Sequence, residues 1–162
     1  MSSITEMERA PRATSASIHE MSSRRRHMAV LGATIDIHAT LEETGGGFSQ
    51  IELRVPPRFP GAPPHLHERM PEGFYMLESE IELLVCETWM TLRSGEAAVV
   101  PLRTVHAYRN ATEEYARFLV TAPGHDRFFV ELVEWMHREP VWPPANRDAL
   151  VAFGLRHDTI YV

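Results

Sequence analysis

Hydrophobic and polar residues alternate along the middle of the chain, and this alternation predicts short β-strands. In FSQIELRV (48–55), Ile51, Leu53 and Val55 fall on one face, with polar residues between them. Segments of the same kind are TIDIHAT (34–40), GFYMLE (73–78), IELLV (81–85), ETWMTL (87–92), AAVVP (97–101), VHAYRN (105–110) and YARFLVT (115–121). Turn residues separate these segments, so the pattern predicts an antiparallel sandwich or barrel.

The two ends of the chain follow different patterns. Residues 1–27 are polar and include the basic run SSRRRH, so we expect an N-terminal arm before a barrel at 28–122. Residues 123–162 change to helical spacing, first in RFFVELVEWMHRE (127–139) and then in ANRDALVAFGLRH (145–157). The proline-rich PVWPP separates these two segments. The sequence therefore predicts an arm, a β-barrel and a C-terminal helical segment.

Composition and charge narrow the class of protein. The chain has 162 residues, of which 44% are hydrophobic and 23% charged, as in a single globular domain. Its net charge of −6 argues against nucleic acid as the main partner. No apolar run reaches the roughly 18 residues of a membrane helix, so we expect no membrane partner. The lone Cys86 and the lack of a secretory signal favour a cytoplasmic protein.

Candidate chemistry is concentrated in PHLHERMPEGFY (64–75). His65 and His67 are two residues apart, so in a strand they project to the same side, and Glu72 follows five residues later. His106 follows the apolar segment AAVVP and a turn. If its strand lies beside the segment with His65 and His67, His106 comes to the same place. Three imidazoles and one carboxylate suit a divalent first-row metal. A solvated loop is the alternative interpretation of the first two histidines.

Two longer segments resemble the paired motifs of the cupin superfamily. The first is GAPPHLHERMPEGFYMLES (61–79) and the second is GEAAVVPLRTVHAYRN (95–110). Ser79 and Arg103 stand where the motifs have glycine, and three residues rather than five separate Gly61 from His65. The matching motif positions are Gly61, His65, His67, Glu72, Gly95, Pro101, His106 and Asn110.

The resemblance implies an all-β fold, a cupin-type double-stranded β-helix (jelly-roll barrel) with one or two C-terminal helices. It also implies one divalent metal (Fe, Mn, Ni, Cu or Zn) on His65, His67, Glu72 and His106. The ending APGHDRFFVELVEWM resembles quercetinase-like small cupins, and some small cupins of aromatic polyketide pathways are cyclases. We therefore expect a metal-dependent enzyme, of dioxygenase type, for a phenolic, polyketide-like or enolisable small molecule. A non-redox zinc cyclase or isomerase and a metal-dependent binding module are the alternatives.

The alternation also predicts a substrate pocket. Phe74 and Met76 share a face with Glu72, and Tyr108 shares one with His106. Glu72 and Tyr108 are the expected catalytic groups, as proton acceptor and as acid or hydrogen-bond donor. The expected apolar walls are Phe48, Phe74, Met76, Trp89 and Phe118.

Two further expectations concern the oligomeric state and the remaining histidines. Small barrels expose edge strands that need cover, so we expect a homodimer in which the arm, Trp135 and Trp142 contribute. The remaining histidines are scattered and are not expected to be catalytic; among them are His38, His125, His137 and His157.

Overall fold

The computed structural model describes residues 26–139, 141 and 143–162. Within these ranges it has eleven strands and two helices. The strands are β1 (Arg26–Val30), β2 (Ala33–Ala39), β3 (Ser49–Val55), β4 (His65–Leu66), β5 (Glu72–Glu78), β6 (Glu80–Val85), β7 (Thr88–Arg93), β8 (Ala97–Val100), β9 (His106–Arg109), β10 (Ala116–Ala122) and β11 (Ile160–Tyr161). The helices are α1 (His125–Arg138) and α2 (Arg147–Arg156). Residues 1–25 of the expected arm, and Trp142, lie outside the described residues.

The strands form two antiparallel sheets. One sheet has the order β1-β2-β3-β10-β5-β8 and the other has the order β11-β4-β9-β6-β7. Strands distant in sequence are neighbours in both sheets, as the pairing of β3 with β10 and of β4 with β9 shows. The predicted all-β fold with C-terminal helices is confirmed.

The core lies between the sheets and follows the predicted alternation. Ile51, Leu53 and Val55 of β3 are buried, while the residues between them are partly or fully exposed. Phe118 at the centre of β10 lies opposite Leu53 on one side and Met76 on the other. Burying each such side chain contributes about 1.5–3 kcal/mol, so a one-residue slip in register would be strongly disfavoured.

Three strands were not predicted. β4 and β11 have two residues each, too few for an alternating pattern, and β1 begins in the basic run assigned to the arm. β11 pairs with β4 in the register Tyr161↔His65. The C-terminal segment therefore returns to the barrel and adds a strand beside the HxH pair.

The helices pack against the strands, α1 on β1, β2 and β3 and α2 on β11. α1 buries Phe129 and Val133. α2 begins after Asn146, whose side chain accepts a hydrogen bond from the backbone N–H of Ala149, as an N-cap does. Trp135 of α1 packs on Phe153 of α2, with ring centroids 5.1 Å apart. Neither of these described helices combines the length and apolar character that crossing a membrane requires.

The two motif positions that lack glycine have a backbone typical of glycine. Ser79 and Arg103 have φ values of 61° and 59°, in the left-handed region. That conformation costs an L-residue roughly 1–2 kcal/mol. Gly61 also has a positive φ of 73°, but its constraint is different, since an added Cβ would lie 1.6 Å from the carbonyl oxygen of Tyr108.

Candidate metal centre

The structure brings the four predicted ligands together. His65, His67, Glu72 and His106 are all buried, and one potential ligand atom from each lies within 4.8 Å of the others. β4 and the residue after it supply the HxH pair, while β5 supplies Glu72. His106 opens β9 and lies directly opposite His65 in the pairing with β4.

Backbone carbonyl groups orient the three imidazoles. The Nδ1 atom of each histidine lies within hydrogen-bond distance of a carbonyl oxygen, so Nδ1 carries the proton. Each Nε2 atom is then the unprotonated nitrogen, which is the one that can bind a metal. For His65, His67 and His106 the acceptors are the carbonyl groups of Pro63 (2.8 Å), Asp158 (2.7 Å) and Thr104 (2.9 Å), respectively.

Glu72 is a buried, ionised carboxylate among these rings. Its Oε2 lies 2.7 Å from Nε2 of His106 and 3.8 Å from Nε2 of His67. Burial alone would raise the pKa of Glu72, but the neighbouring imidazoles of His106, His67 and His125 outweigh it. The pKa of Glu72 is therefore held well below its usual range.

The donor set fits a divalent metal. Nε2 of His67 is buried and has no hydrogen-bond partner among the described residues, an orphan that a metal ion would satisfy. Burial, and then the neighbouring His106, lower the pKa of His65 to about 4, so that its imidazole is neutral at pH 7. A neutral imidazole is the form that binds metals.

The cluster lies at the wall of a large apolar cavity. The cavity has a volume of about 840 Å³, and Glu72 and His65 are among its lining residues. α1 contributes Phe128, Phe129, Leu132 and Met136 to its lining.

Comparison with known proteins identifies the barrel. Residues 51–122 match the family model described as the cupin domain. The chain carries a cupin domain. No curated protein sequence matches the chain.

Solved structures support the cupin fold. The polyketide cyclase RemF from Streptomyces resistomycificus is 22% identical with a TM-score of 0.53, covering 72% of this chain and 79% of RemF. KdgF from Halomonas sp. is 20% identical with a TM-score of 0.53, covering 63% and 89%. Oxalate decarboxylase from Bacillus subtilis is 17% identical with a TM-score of 0.55, covering 65% of this chain but only 28% of that protein. At these identities the likeness concerns the fold alone.

The predicted pocket residues are divided among three environments in the cupin barrel. Phe74 lines the cavity. Met76 and Phe118 are fully buried in the core and are not among the lining residues. Phe48 and Trp89 are 43% and 40% exposed and do not line the cavity either.

Phe48 and Trp89 are exposed for different reasons. Ser49 is buried on the inner face of β3, so the adjacent Phe48 is directed outward. Trp89 lies on β7 at the edge of its sheet, where the guanidinium of Arg109 is 4.2 Å from the ring centroid.

Tyr108 lines the cavity next to the cluster. Its ring packs against Phe118 and Phe74, with centroids 5.2 and 6.4 Å apart. Burial, and then the negative charge of Glu72, raise the pKa of Tyr108 above its usual value. Its hydroxyl group therefore stays protonated and suits a hydrogen-bond donor.

Sequence reasoning missed His125. This histidine opens α1, is buried, and has Nε2 2.8 Å from Oε1 of Glu72. Its distance in sequence from the motifs gave no sign of this contact. Gly124 is the sequence feature that could have indicated this contact. It adopts φ 85° between β10 and α1, so the helix begins directly at the end of β10.

Proposed function

We propose that the chain is a metal-dependent enzyme for a phenolic, polyketide-like or enolisable small molecule, with dioxygenase chemistry as the first candidate. The observation that carries this proposal is the buried three-histidine, one-glutamate cluster on the wall of the 840 Å³ apolar cavity. Such a cavity favours a flat apolar ligand with few polar groups. A divalent metal held by His65, His67, Glu72 and His106 would polarise a substrate oxygen and, if redox-active, exchange electrons with dioxygen.

The residues around the cluster have distinct proposed roles. Phe74 and the phenylalanines of α1 orient the apolar body of the substrate and exclude water. Glu72 is ionised, and its carboxylate is the proposed acceptor of the substrate hydroxyl proton. Tyr108, kept protonated, donates a hydrogen bond to a substrate oxygen.

The first test measures metal content and oxygen consumption. A dioxygenase places both atoms of O₂ in its product and takes all the electrons from the substrate. We therefore expect one O₂ consumed per phenolic substrate by protein that contains iron, manganese, nickel or copper, without added reductant. Lack of oxygen uptake by protein loaded with each of these metals would reject dioxygenase chemistry.

The second test addresses Glu72 directly. At matched metal occupancy, Glu72→Gln is expected to lower turnover strongly because the amide cannot accept the substrate proton. Glu52→Gln is the matched control, since Glu52 pairs with His38 and Arg117 away from the cluster. Wild-type turnover in Glu72→Gln would show that the carboxylate is a ligand only.

A non-redox cyclase is the second candidate. RemF, a polyketide cyclase of the same fold, motivates it, and a divalent metal held by the buried cluster would serve such a reaction as a Lewis acid. In this case the protein would contain zinc, consume no oxygen, and convert a linear polyketide-like substrate to a ring-closed product. Mass spectrometry of the product distinguishes ring closure with loss of water from addition of oxygen.

A further inference from the structure

His125 is buried beside the cluster and is not one of its four proposed ligands. The residue is only 5% exposed, and neither ring nitrogen makes a hydrogen bond of good geometry within the described part of the chain. Nε2 nevertheless lies 2.8 Å from Oε1 of Glu72. A buried imidazole this close to a carboxylate is well placed to orient that carboxylate.

The two oxygens of Glu72 face different imidazoles. Oε2 is turned to His106 at 2.7 Å and His67 at 3.8 Å, on the side of the proposed metal. Oε1 is turned to His125. A metal ion bound through Oε2 would leave Oε1 in need of a hydrogen-bond donor, and His125 is beside it.

Aromatic packing fixes the His125 ring. The ring stacks on Phe128 with centroids 5.6 Å apart and an interplanar angle of 23°. It also makes edge contacts with Phe129 and His67, at 5.5 and 5.4 Å. Reorienting the ring would therefore disturb the packing at the start of α1.

The start of α1 is itself tied to the barrel. The backbone N–H of Asp126 donates to Oγ of Ser49 at 3.3 Å, and this hydroxyl donates to the carbonyl oxygen of Ala122 at 2.6 Å. The backbone that carries His125 is thus held to β3 and β10. His125 is placed by the fold rather than by a flexible loop.

We propose that His125 is a positioning residue for Glu72. Because packing fixes the imidazole, the Glu72 carboxylate would turn to bring Oε1 into line with Nε2–H, which leaves Oε2 for the metal. This inference rests on the proposed metal site and adds a residue to it. Hydrogen-bond partners of metal-binding side chains typically contribute 10- to 100-fold to metal affinity.

The test compares three substitutions of His125 with a distant control. His125→Phe keeps an aromatic ring without a donor, His125→Gln keeps an amide donor near the Nε2 position, and His125→Asn is polar but too short to reach Glu72. His38→Phe is the control, because His38 makes a similar contact with Glu52, 2.9 Å, away from the cluster. The measurements are the Co(II) dissociation constant by chelator competition and the visible absorption spectrum of the Co(II) protein.

We expect His125→Phe to weaken Co(II) binding by about 10- to 100-fold and to change the spectrum. His125→Gln should restore most of both, and His38→Phe should leave both as in the wild type. Circular dichroism of the metal-free proteins checks that each variant folds. If His125→Phe does not fold, the comparison of His125→Gln with His125→Asn decides, with the weaker binding expected for His125→Asn.

Three results would overturn the proposal. The first is wild-type affinity and spectrum in His125→Phe. The second is equal weakening in His125→Gln and His125→Asn, which would assign the effect to ring packing. The third is a wild-type spectrum that requires a fourth imidazole ligand and loses it in His125→Phe, which would make His125 a ligand. Failure of the wild-type protein to bind Co(II) would reject the metal site itself, before any His125 variant is compared.

Discussion

Acid should destabilise the metal-free protein through His65. Burial, and then His106, lower the pKa of His65 to about 4 in the folded protein, whereas a histidine in an unfolded chain titrates near 6.5. Between these values the unfolded state binds more protons, so the stability that is present above pH 6.5 is lost as the pH falls toward 4. Integrated from pH 7.5 to 4.5, this one residue accounts for a loss of about 2.5 kcal/mol.

His67 has the opposite effect and must be separated from His65. Burial lowers the pKa of His67, but the neighbouring carboxylate of Glu72 outweighs burial, and the pKa is raised. Its contribution to stability is fully present below pH 6.5 and is lost as the pH rises through its folded pKa. The two effects oppose each other in the wild type, so the pH dependence of the wild type alone does not isolate His65.

Comparison of the wild type with His65→Gln isolates the contribution of His65 to the pH dependence of stability, because glutamine keeps a polar side chain that does not titrate. Urea unfolding of both proteins, with chelator present, would be measured at pH 7.5 and 4.5. The wild type should lose about 2.5 kcal/mol more of its free energy of unfolding than the variant. Equal losses in the two proteins would refute the reasoning.

Four further predictions follow from the structure. His106→Ala should lose most of its metal on dialysis against chelator, as measured by mass spectrometry, since three ligands bind less tightly than four; full retention would contradict the assigned cluster. Ser79→Gly should raise the free energy of unfolding in urea by about 0.5–1 kcal/mol, because relief of the left-handed strain exceeds the extra entropy of a glycine in the unfolded chain. Phe74 and Met76 are both buried core residues, so either change to alanine should cost about 2–5 kcal/mol of stability, but only Phe74→Ala, which alters the cavity wall, should change substrate preference in steady-state kinetics. Sedimentation should show a homodimer, about twice 18.5 kDa, and a monomer at micromolar concentration would reject it.

The sequence was sufficient for the strands whose alternation spans several residues. β3 and β5 were predicted because their inward residues recur with period two, as Ile51 and Leu53 do. β4 and β11 escaped prediction because a two-residue strand has no period to detect. Their pairing depends on the chain returning from α2 to lie beside His65, which is a tertiary event.

The candidate site was predictable where it depends on local spacing. His65 and His67 share a side because they are two residues apart, and the paired motifs related Glu72 and His106 to them. The walls were less predictable. Phe48 was expected in the wall as an apolar aromatic residue, although the alternation places it in phase with Gln50 and Glu52 on the polar face of β3. The contribution of α1, including His125, depends on how a helix packs on a finished barrel.

Three turns of this barrel with a positive φ differ in how they tolerate a side chain. Position 61 is closed to any side chain, since the smallest addition would collide with the backbone of the strand that carries Tyr108 and His106. Positions 79 and 103 demand only a positive φ, a cost that a stable domain can absorb, and serine and arginine occupy them. Substitution of Gly61 should therefore disrupt the fold, whereas positions 79 and 103 should accept many residues.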